Sequence, residues 1–177
     1  MSVVAVFGAS APTPGDRLYT TGVTCGRLLA ENGFDVATGG YGGLMEAVSR
    51  GAREAGGHVI GVTAPPVFPG RDQANEWVTE ELRSASLTER IHELTDIADA
   101  AIVLDGSIGT LTELMVAWNL AFVARFGGST PLPLVTVGER WNEVVDYLAD
   151  ILETDASLVV KFADVEEAVA HIVASVT

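Results

Sequence analysis

The sequence predicts an α/β fold, a doubly wound and mainly parallel sheet with helices on both faces, and three observations carry that prediction. Short apolar runs alternate with longer amphipathic stretches, the order that favours parallel strands joined by right-handed crossovers. Glycine turns stand where strand would pass into helix, at Gly8-Ala9-Ser10, at Gly39-Gly40-Tyr41-Gly42-Gly43 and at Asp105-Gly106-Ser107-Ile108-Gly109-Thr110. The chain has 177 residues, 48% of them hydrophobic, with 19 glycines and only 7% aromatics. That size and composition suit one domain over residues 1–177, with a substantial core and tight turns.

The elements follow in order. Val3-Val4-Ala5-Val6-Phe7 is a strand ending at small residues, and the Pro12-Thr13-Pro14-Gly15 turn opens a helix that runs to Glu31. Asn32-Gly33 ends that helix, glycine being suited to the left-handed conformation of a helix C-terminus. A strand over 34–37, a helix over 42–55 closed by Gly56-Gly57, and a strand over 58–62 complete a βαβαβ pattern. Residues 63–75, with Ala64-Pro65-Pro66-Val67-Phe68-Pro69-Gly70-Arg71 at their centre, form a loop long enough to face a ligand. Beyond it come a short strand over 77–83, a helix over 86–97 with Ser86 or Thr88 near its cap, and a strand over 100–104. A helix over 108–126, a strand over 133–137, a helix over 140–151, a short strand over 158–162 and a terminal helix over 164–176, capped by Asp164, finish the chain.

The formal net charge of −14 argues against nucleic acid as a partner, because phosphate-backbone affinity comes from clustered Lys and Arg. The single Cys25 excludes an internal disulfide framework and suits a reducing, cytoplasmic setting, where it reads as a small core residue. No signal-like leader or apolar run of roughly 18 residues is seen, so no membrane association is expected. His58, His92 and His171 have no neighbours at metal-ligand spacing, so no metal is expected, and His92 reads as a solvated or interface residue.

In open parallel sheets, ligands bind beyond the carboxyl ends of the strands, at the point where strand order reverses. Gly8, Ala9, Ser10, the turn with Gly40, Gly42 and Gly43, residues 63–64, and Asp105, Gly106, Ser107, Ile108, Gly109 and Thr110 all fall there. One such turn is an ordinary connection. Together they bring several backbone N–H groups and helix N-termini to one crevice, a setting for a phosphate and hence for a small-molecule nucleotide. No Walker lysine follows either turn and the dinucleotide fingerprint is incomplete, so neither ATP nor NAD is expected as cofactor. Glu46 and Glu113 each lie one helical turn past a glycine turn. For Glu113 the residues alone favour a helix-dipole acid.

The ordered set Val6-Phe7-Gly8-Ala9-Ser10, Gly39-Gly40-Tyr41-Gly42-Gly43-Leu44-Met45-Glu46-Ala47, Gly56-Gly57-His58-Val59-Ile60-Gly61-Val62, Thr88-Glu89-Arg90 and Leu104-Asp105-Gly106-Ser107-Ile108-Gly109-Thr110-Leu111-Thr112-Glu113 resembles the LOG family, once widely misannotated as lysine decarboxylases. The resemblance runs from about Val3 to Trp118. It implies a Rossmann-like fold, a homodimer, and hydrolysis of a purine or cytokinin nucleoside 5′-monophosphate to free base and ribose 5-phosphate, and no cofactor is expected. It also implies Arg90 and Glu113 as the catalytic pair, with a carboxylate near the ribose stabilising an oxocarbenium-like state and Arg90 holding that carboxylate or the phosphate. The glycine turns and Glu46 become ligand contacts. Proteins of the same fold that carry nucleotides or the molybdenum cofactor without turnover form the alternative.

The chain departs from the family pattern where Asp105-Gly106-Ser107 stands for Pro-Gly-Gly, and where Leu87-Thr88 and Ile91 stand for Met-His and Lys around Arg90. A carboxylate at 105 is unfavourable beside a phosphate unless it turns away or accepts backbone N–H bonds. Asp16 and Arg17 read as capping residues of the first helix. The helix over 108–126 is apolar nearly all round, through Leu111, Leu114, Met115, Trp118, Leu120, Ala121, Phe122 and Val123, which points to a homodimer contact or to deep burial.

Overall fold

The structure is a computed structural model that describes residues 1–176. The strands are β1 (Val3–Phe7), β2 (Asp35–Thr38), β3 (Val59–Thr63), β4 (Glu80–Arg83), β5 (Ala100–Val103), β6 (Leu134–Val137) and β7 (Val160–Phe162). The helices are α1 (Arg17–Glu31), α2 (Leu44–Glu54), α3 (Leu87–Asp96), α4 (Ile108–Gly127), α5 (Glu139–Leu152) and α6 (Val165–Val176). The strands form one sheet in the order β4-β3-β2-β1-β5-β6-β7, and all six neighbouring pairs are parallel. The chain steps outward from β1 to β4 and then returns to the other side of β1 as β5. Strand order therefore reverses between β1 and β5, where Ala5 pairs with Ala101 and Phe7 with Val103.

Both faces of the sheet are covered, which is why its central strands are continuous apolar runs rather than alternating ones. Side chains of β1 still divide by parity. Val4 and Val6 join the core under α1, α2 and α6, with Cys25, Leu29, Val48 and Ile172. Ala5 and Phe7 join the core under α3, α4 and α5, with Leu94, Leu114, Trp118 and Trp141. Helices α1 and α2 cross closely enough that a methyl group at Gly26 would lie 1.9 Å from the Val48 carbonyl oxygen, and one at Gly51 2.0 Å from that of Val23.

The predicted elements all form, with ends shifted by the sheet and by local side-chain bonds. Strand β2 runs one residue further, to Thr38, because Thr38 pairs with Gly61. The strand over 77–83 shortens to β4, since Asn75 Oδ1 takes the Trp77 N–H and Thr79 Oγ1 bridges both backbone groups of Val59. The strand over 158–162 splits into a 3₁₀ turn, Ala156–Leu158, and β7, because Asp155 accepts the Ser157 N–H at 2.9 Å. Asp164 caps α6 as predicted, accepting the Glu167 N–H at 2.9 Å, and Ser86 caps α3, accepting that of Glu89 at 3.1 Å. Asp16 makes no capping bond to α1. Its carboxylate closes the preceding turn instead, accepting the Thr13 N–H at 2.7 Å and the Thr13 hydroxyl at 3.0 Å.

Gly51→Ala is expected to lower stability by about 1–3 kcal/mol, the cost of forcing two packed backbones apart. Gly127→Ala, in a helix with open space at the added methyl, is expected to leave the melting temperature unchanged or to raise it.

Candidate functional site

The loops that follow β1, β2 and β5 are tied to one another at the reversal point. The Ala9 N–H donates to the Asp105 carbonyl at 2.9 Å and the Leu44 N–H to the Ala9 carbonyl at 2.8 Å. Gly43 makes the second contact possible: its φ of +76° suits glycine, and a methyl there would lie 2.4 Å from the Ala9 oxygen. Helix α4 begins at this junction with Ser107 as N-cap residue and no side-chain cap bond. Its first intrahelical bond is donated by Leu111 to the Ser107 carbonyl, so the N–H groups of the first turn are open to an anion.

Arg90, on α3, enters this region from beneath and is 6% exposed. Its Nε donates to the Val62 carbonyl at 2.8 Å and one terminal nitrogen to the Gly39 carbonyl at 3.1 Å, so the guanidinium links the ends of β3 and β2. Gly39 is glycine for a steric reason, since a methyl there would sit 1.8 Å from that terminal nitrogen. The Tyr41 and Phe68 rings lie 5.7 and 5.6 Å from the guanidinium carbon, close enough for cation–π attraction. Burial lowers the affinity of Arg90 for its proton, opposed by the charge of Glu113.

Glu113, on the second turn of α4, is 9% exposed and faces the other Arg90 terminal nitrogen at 3.6 Å. Among the described residues its carboxylate accepts no hydrogen bond, so its lone pairs are left to the cleft. Burial pushes the Glu113 carboxyl up to about 7, with Arg90 pulling in the opposite direction. A carboxyl in that range changes charge near neutrality, the property that acid–base and charge-stabilising groups share.

The pair opens into a pocket of about 130 Å³ bordered by Gly8, Ala9, Ser10, Ser107, Gly109, Thr110 and the Arg90–Glu113 pair, and by Tyr41, Met45, Phe68 and Arg71. Ala9, Ser10 and Ser107 also border an open cleft of about 410 Å³ that holds Asp105, Gly106 and Arg140. Gly40, Gly42 and Gly43 shape the turn without bordering the pocket, and the Ile108 side chain is 75% exposed. The Glu46 carboxylate is turned toward α1, where it accepts the Tyr19 hydroxyl at 2.9 Å. Asp105 accepts the Gly106 N–H at 2.8 Å and pairs with Arg140 at 2.9 Å. Its charge is thus compensated at the turn, in the manner that a carboxylate at this position requires.

Sequence reasoning missed the wall opposite Glu113 and the clamp on the β5 turn. Phe68 and Arg71 come from the loop over 63–75, which is fastened to the glycine turn. The Ala64 N–H donates to the Tyr41 hydroxyl at 2.8 Å, and the Asn75 amide to the Gly40 and Tyr41 carbonyls at 3.1 and 2.9 Å. The sequence signal was an aromatic and an arginine bracketing Pro69-Gly70. Trp141 donates to the Leu104 carbonyl at 2.7 Å, and no local pattern announces that contact. Of the apolar residues on α4, Leu114, Ala117 and Trp118 are buried, while Leu120, Val123 and Phe126 are 50%, 54% and 77% exposed. The helix is therefore core on one side only. His92 is exposed, and no helix among the described residues is long and apolar enough to cross a membrane.

The family profile described as the SLOG cluster4 family matches residues 1–123. This chain belongs to the SLOG cluster4 family. It is 33% identical over 152 residues to the cytokinin riboside 5′-monophosphate phosphoribohydrolase of Mycobacterium tuberculosis, covering 85% of this chain and 79% of that one. It is 36% identical over 118 residues to the enzyme LOG of that name from Oryza sativa subsp. japonica, covering 65% and 48%. The LOG relationship read from the ordered motifs thus holds, although this SLOG chain spans about half the length of the rice relatives it matches, 48%. In fold, it matches the molybdenum cofactor binding protein of Rippkaea orientalis with a TM-score of 0.77 at 20% identity, covering 99% and 98% of the two chains.

Because burial holds Glu113 near 7 rather than at the ordinary 4.5, the folded chain keeps that proton more tightly than the unfolded one. The stability this contributes is complete below about pH 4.5 and is lost as pH rises through about 7, a change of about 3 kcal/mol. Glu113→Gln, which stays neutral, is expected to gain on the parent protein over that range, seen as a difference in melting temperature that grows from pH 5 to pH 8. Gly39→Ala is expected to displace Arg90, lowering stability by about 1–3 kcal/mol and, because Arg90 is the charge that pulls the Glu113 carboxyl down, moving the Glu113 titration to higher pH.

Proposed function

We propose that this SLOG chain is a phosphoribohydrolase that cleaves the N-glycosidic bond of a purine or cytokinin nucleoside 5′-monophosphate, consuming water and releasing free base and ribose 5-phosphate. The observation that carries the reading is the Glu113 carboxylate, buried beside Arg90, accepting no hydrogen bond among the described residues, and directed into a pocket of about 130 Å³. That volume fits a pentose, with the phosphate on the pocket rim at the first turn of α4 and the base extending along the adjoining cleft. Nucleoside 5′-monophosphate is also the substrate class printed in the names of the Mycobacterium and rice relatives.

In this reading the ionised Glu113 stabilises positive charge on the ribose as the bond to the base stretches, and orients the water that attacks C1′. Arg90 acts on Glu113. It favours the carboxylate over the acid and fixes the side chain, while its own place is fixed by the Val62 and Gly39 carbonyls. The open N–H groups of the first α4 turn, with the Ser107 and Thr110 hydroxyls, receive the phosphate. Gly8, Ala9 and Ser10 let the ligand approach the backbone, Gly40, Gly42 and Gly43 hold the facing turn, and Asp105, Gly106, Ile108 and Gly109 set the start of α4. Glu46 serves this arrangement from behind through Tyr19. The reading takes residues 1–177 as one nucleotide-binding domain at work in the cytoplasm, and takes the exposed Leu120, Val123 and Phe126 face of α4 as a homodimer contact.

Release of ribose 5-phosphate from a panel of purine and N6-substituted purine nucleoside monophosphates tests the proposal. Turnover is expected to fall by about 100-fold or more in Glu113→Gln. Because the ionised form acts, kcat/KM of the parent protein is expected to drop as pH falls through about 7, an acid limb that Glu113→Gln lacks. Tight nucleotide binding with no turnover anywhere in the panel would instead identify a carrier.

A further inference from the structure

Two guanidinium groups lie against one pair of aromatic rings, and among the described residues the pocket they border has one carboxylate, Glu113. Tyr41 and Phe68 meet edge to face, with ring centroids 5.6 Å apart and planes at 71°. The Arg71 guanidinium carbon is 5.5 and 5.8 Å from those two centroids, much as Arg90 is from the other side. The rings attract each cation, while the two like charges repel, an effect that works against the charge of Arg90.

The two arginines differ in what their donors do. Arg90 gives Nε and one terminal nitrogen to the Val62 and Gly39 carbonyls and turns the other toward Glu113. It has little left for a ligand. Arg71 is exposed, and among the described residues its guanidinium makes no ion pair and donates no hydrogen bond. It nevertheless borders the same pocket as Glu113, Ser107 and Thr110. With Arg71, Arg90 and Glu113 as its charged residues, this pocket is locally positive in a chain of formal net charge −14.

We propose that Arg71 is the side chain that binds the 5′-phosphate of the ligand, closing the dianion between its guanidinium fork and the uncapped first turn of α4. The assignment rests on the reading of the pocket as a ribose site. A phosphomonoester carries about 1.5 to 2 negative charges at neutral pH, enough to neutralise Arg71 and relieve its repulsion with Arg90. Its oxygens can take two parallel N–H bonds from a guanidinium, a geometry that lysine does not reproduce. An uncharged nucleoside brings nothing to this position, so Arg71 is also the residue that discriminates between the two.

The test is titration calorimetry of the full chain with ribose 5-phosphate and with ribose, for the parent protein, Arg71→Ala and Arg71→Lys, beside their melting temperatures. The expected result is binding of ribose 5-phosphate that is about 10- to 100-fold weaker in Arg71→Ala and intermediate in Arg71→Lys. Weak ribose binding is expected to be the same in all three, with melting temperatures unchanged. Equal affinity of Arg71→Ala and the parent protein for ribose 5-phosphate would overturn the proposal, as would a parent protein that does not distinguish ribose 5-phosphate from ribose. Failure of the hydrolase reading is separate: it would appear as absent turnover of nucleoside monophosphates while the Arg71 contrast in binding persists.

Discussion

Arg90 and Glu113 bring opposite charges into a place that water barely reaches, and most of the carboxyl edge of the sheet is arranged around that fact. A buried guanidinium requires acceptors in its own plane. The ends of β2 and β3 supply them as the Gly39 and Val62 carbonyls, and the rings of Tyr41 and Phe68 cover it. Glycine at 39 follows from this packing, and so does the fastening of the loop over 63–75 to the glycine turn, since Phe68 must be held over the same cation. Glu113 sits differently. Arg90 is too far away, at 3.6 Å, to offset its desolvation fully, so the carboxyl is left near neutrality and open to whatever enters the pocket.

The start of α4 is the second fixed point. In the family pattern a proline stiffens this turn, and here hydrogen bonds do so. Asp105 is gripped by Arg140 and by the Gly106 N–H, its carbonyl receives the Ala9 N–H, and Trp141 holds the Leu104 carbonyl just before it. The N-terminal end of α5, which follows β6, thus supports the turn that opens α4 after the adjoining strand β5. Asp105 looks hostile to an anion when read alone. In place it is a neutralised strut whose charge is turned to Arg140, leaving the next turn of N–H groups available.

Much of this was legible in the sequence for physical reasons. The order of strands and helices follows from apolar periodicity, and the helix ends from Gly33, Ser86 and Asp164, each a local signal with a local effect. The convergence of glycine turns at one edge follows from parallel topology. Other features depend on contacts between distant residues. Thr38 joins β2 only because Gly61 lies beside it, Asp16 is drawn off its helix by Thr13, and Glu46 is turned away from the pocket by Tyr19. The Phe68–Arg71 wall is a tertiary product of the same kind. Its residue types hinted at a ligand-facing loop, but the side on which they pack is set by Tyr41. The outer face of α4 shows the limit of composition most plainly, since a helix apolar all round is buried on one side and bare on the other.

A direct titration of the Glu113 carboxyl tests the central claim most sharply, by following the carboxyl resonances of the protein labelled with ¹³C at glutamate side chains and comparing them with Glu113→Gln. One resonance titrating close to pH 7, missing from the variant, is the predicted result. A Glu113 resonance that titrates in the ordinary glutamate range, below about pH 5, would contradict the account, because the pair would then be an ordinary ion pair rather than a poised carboxylate.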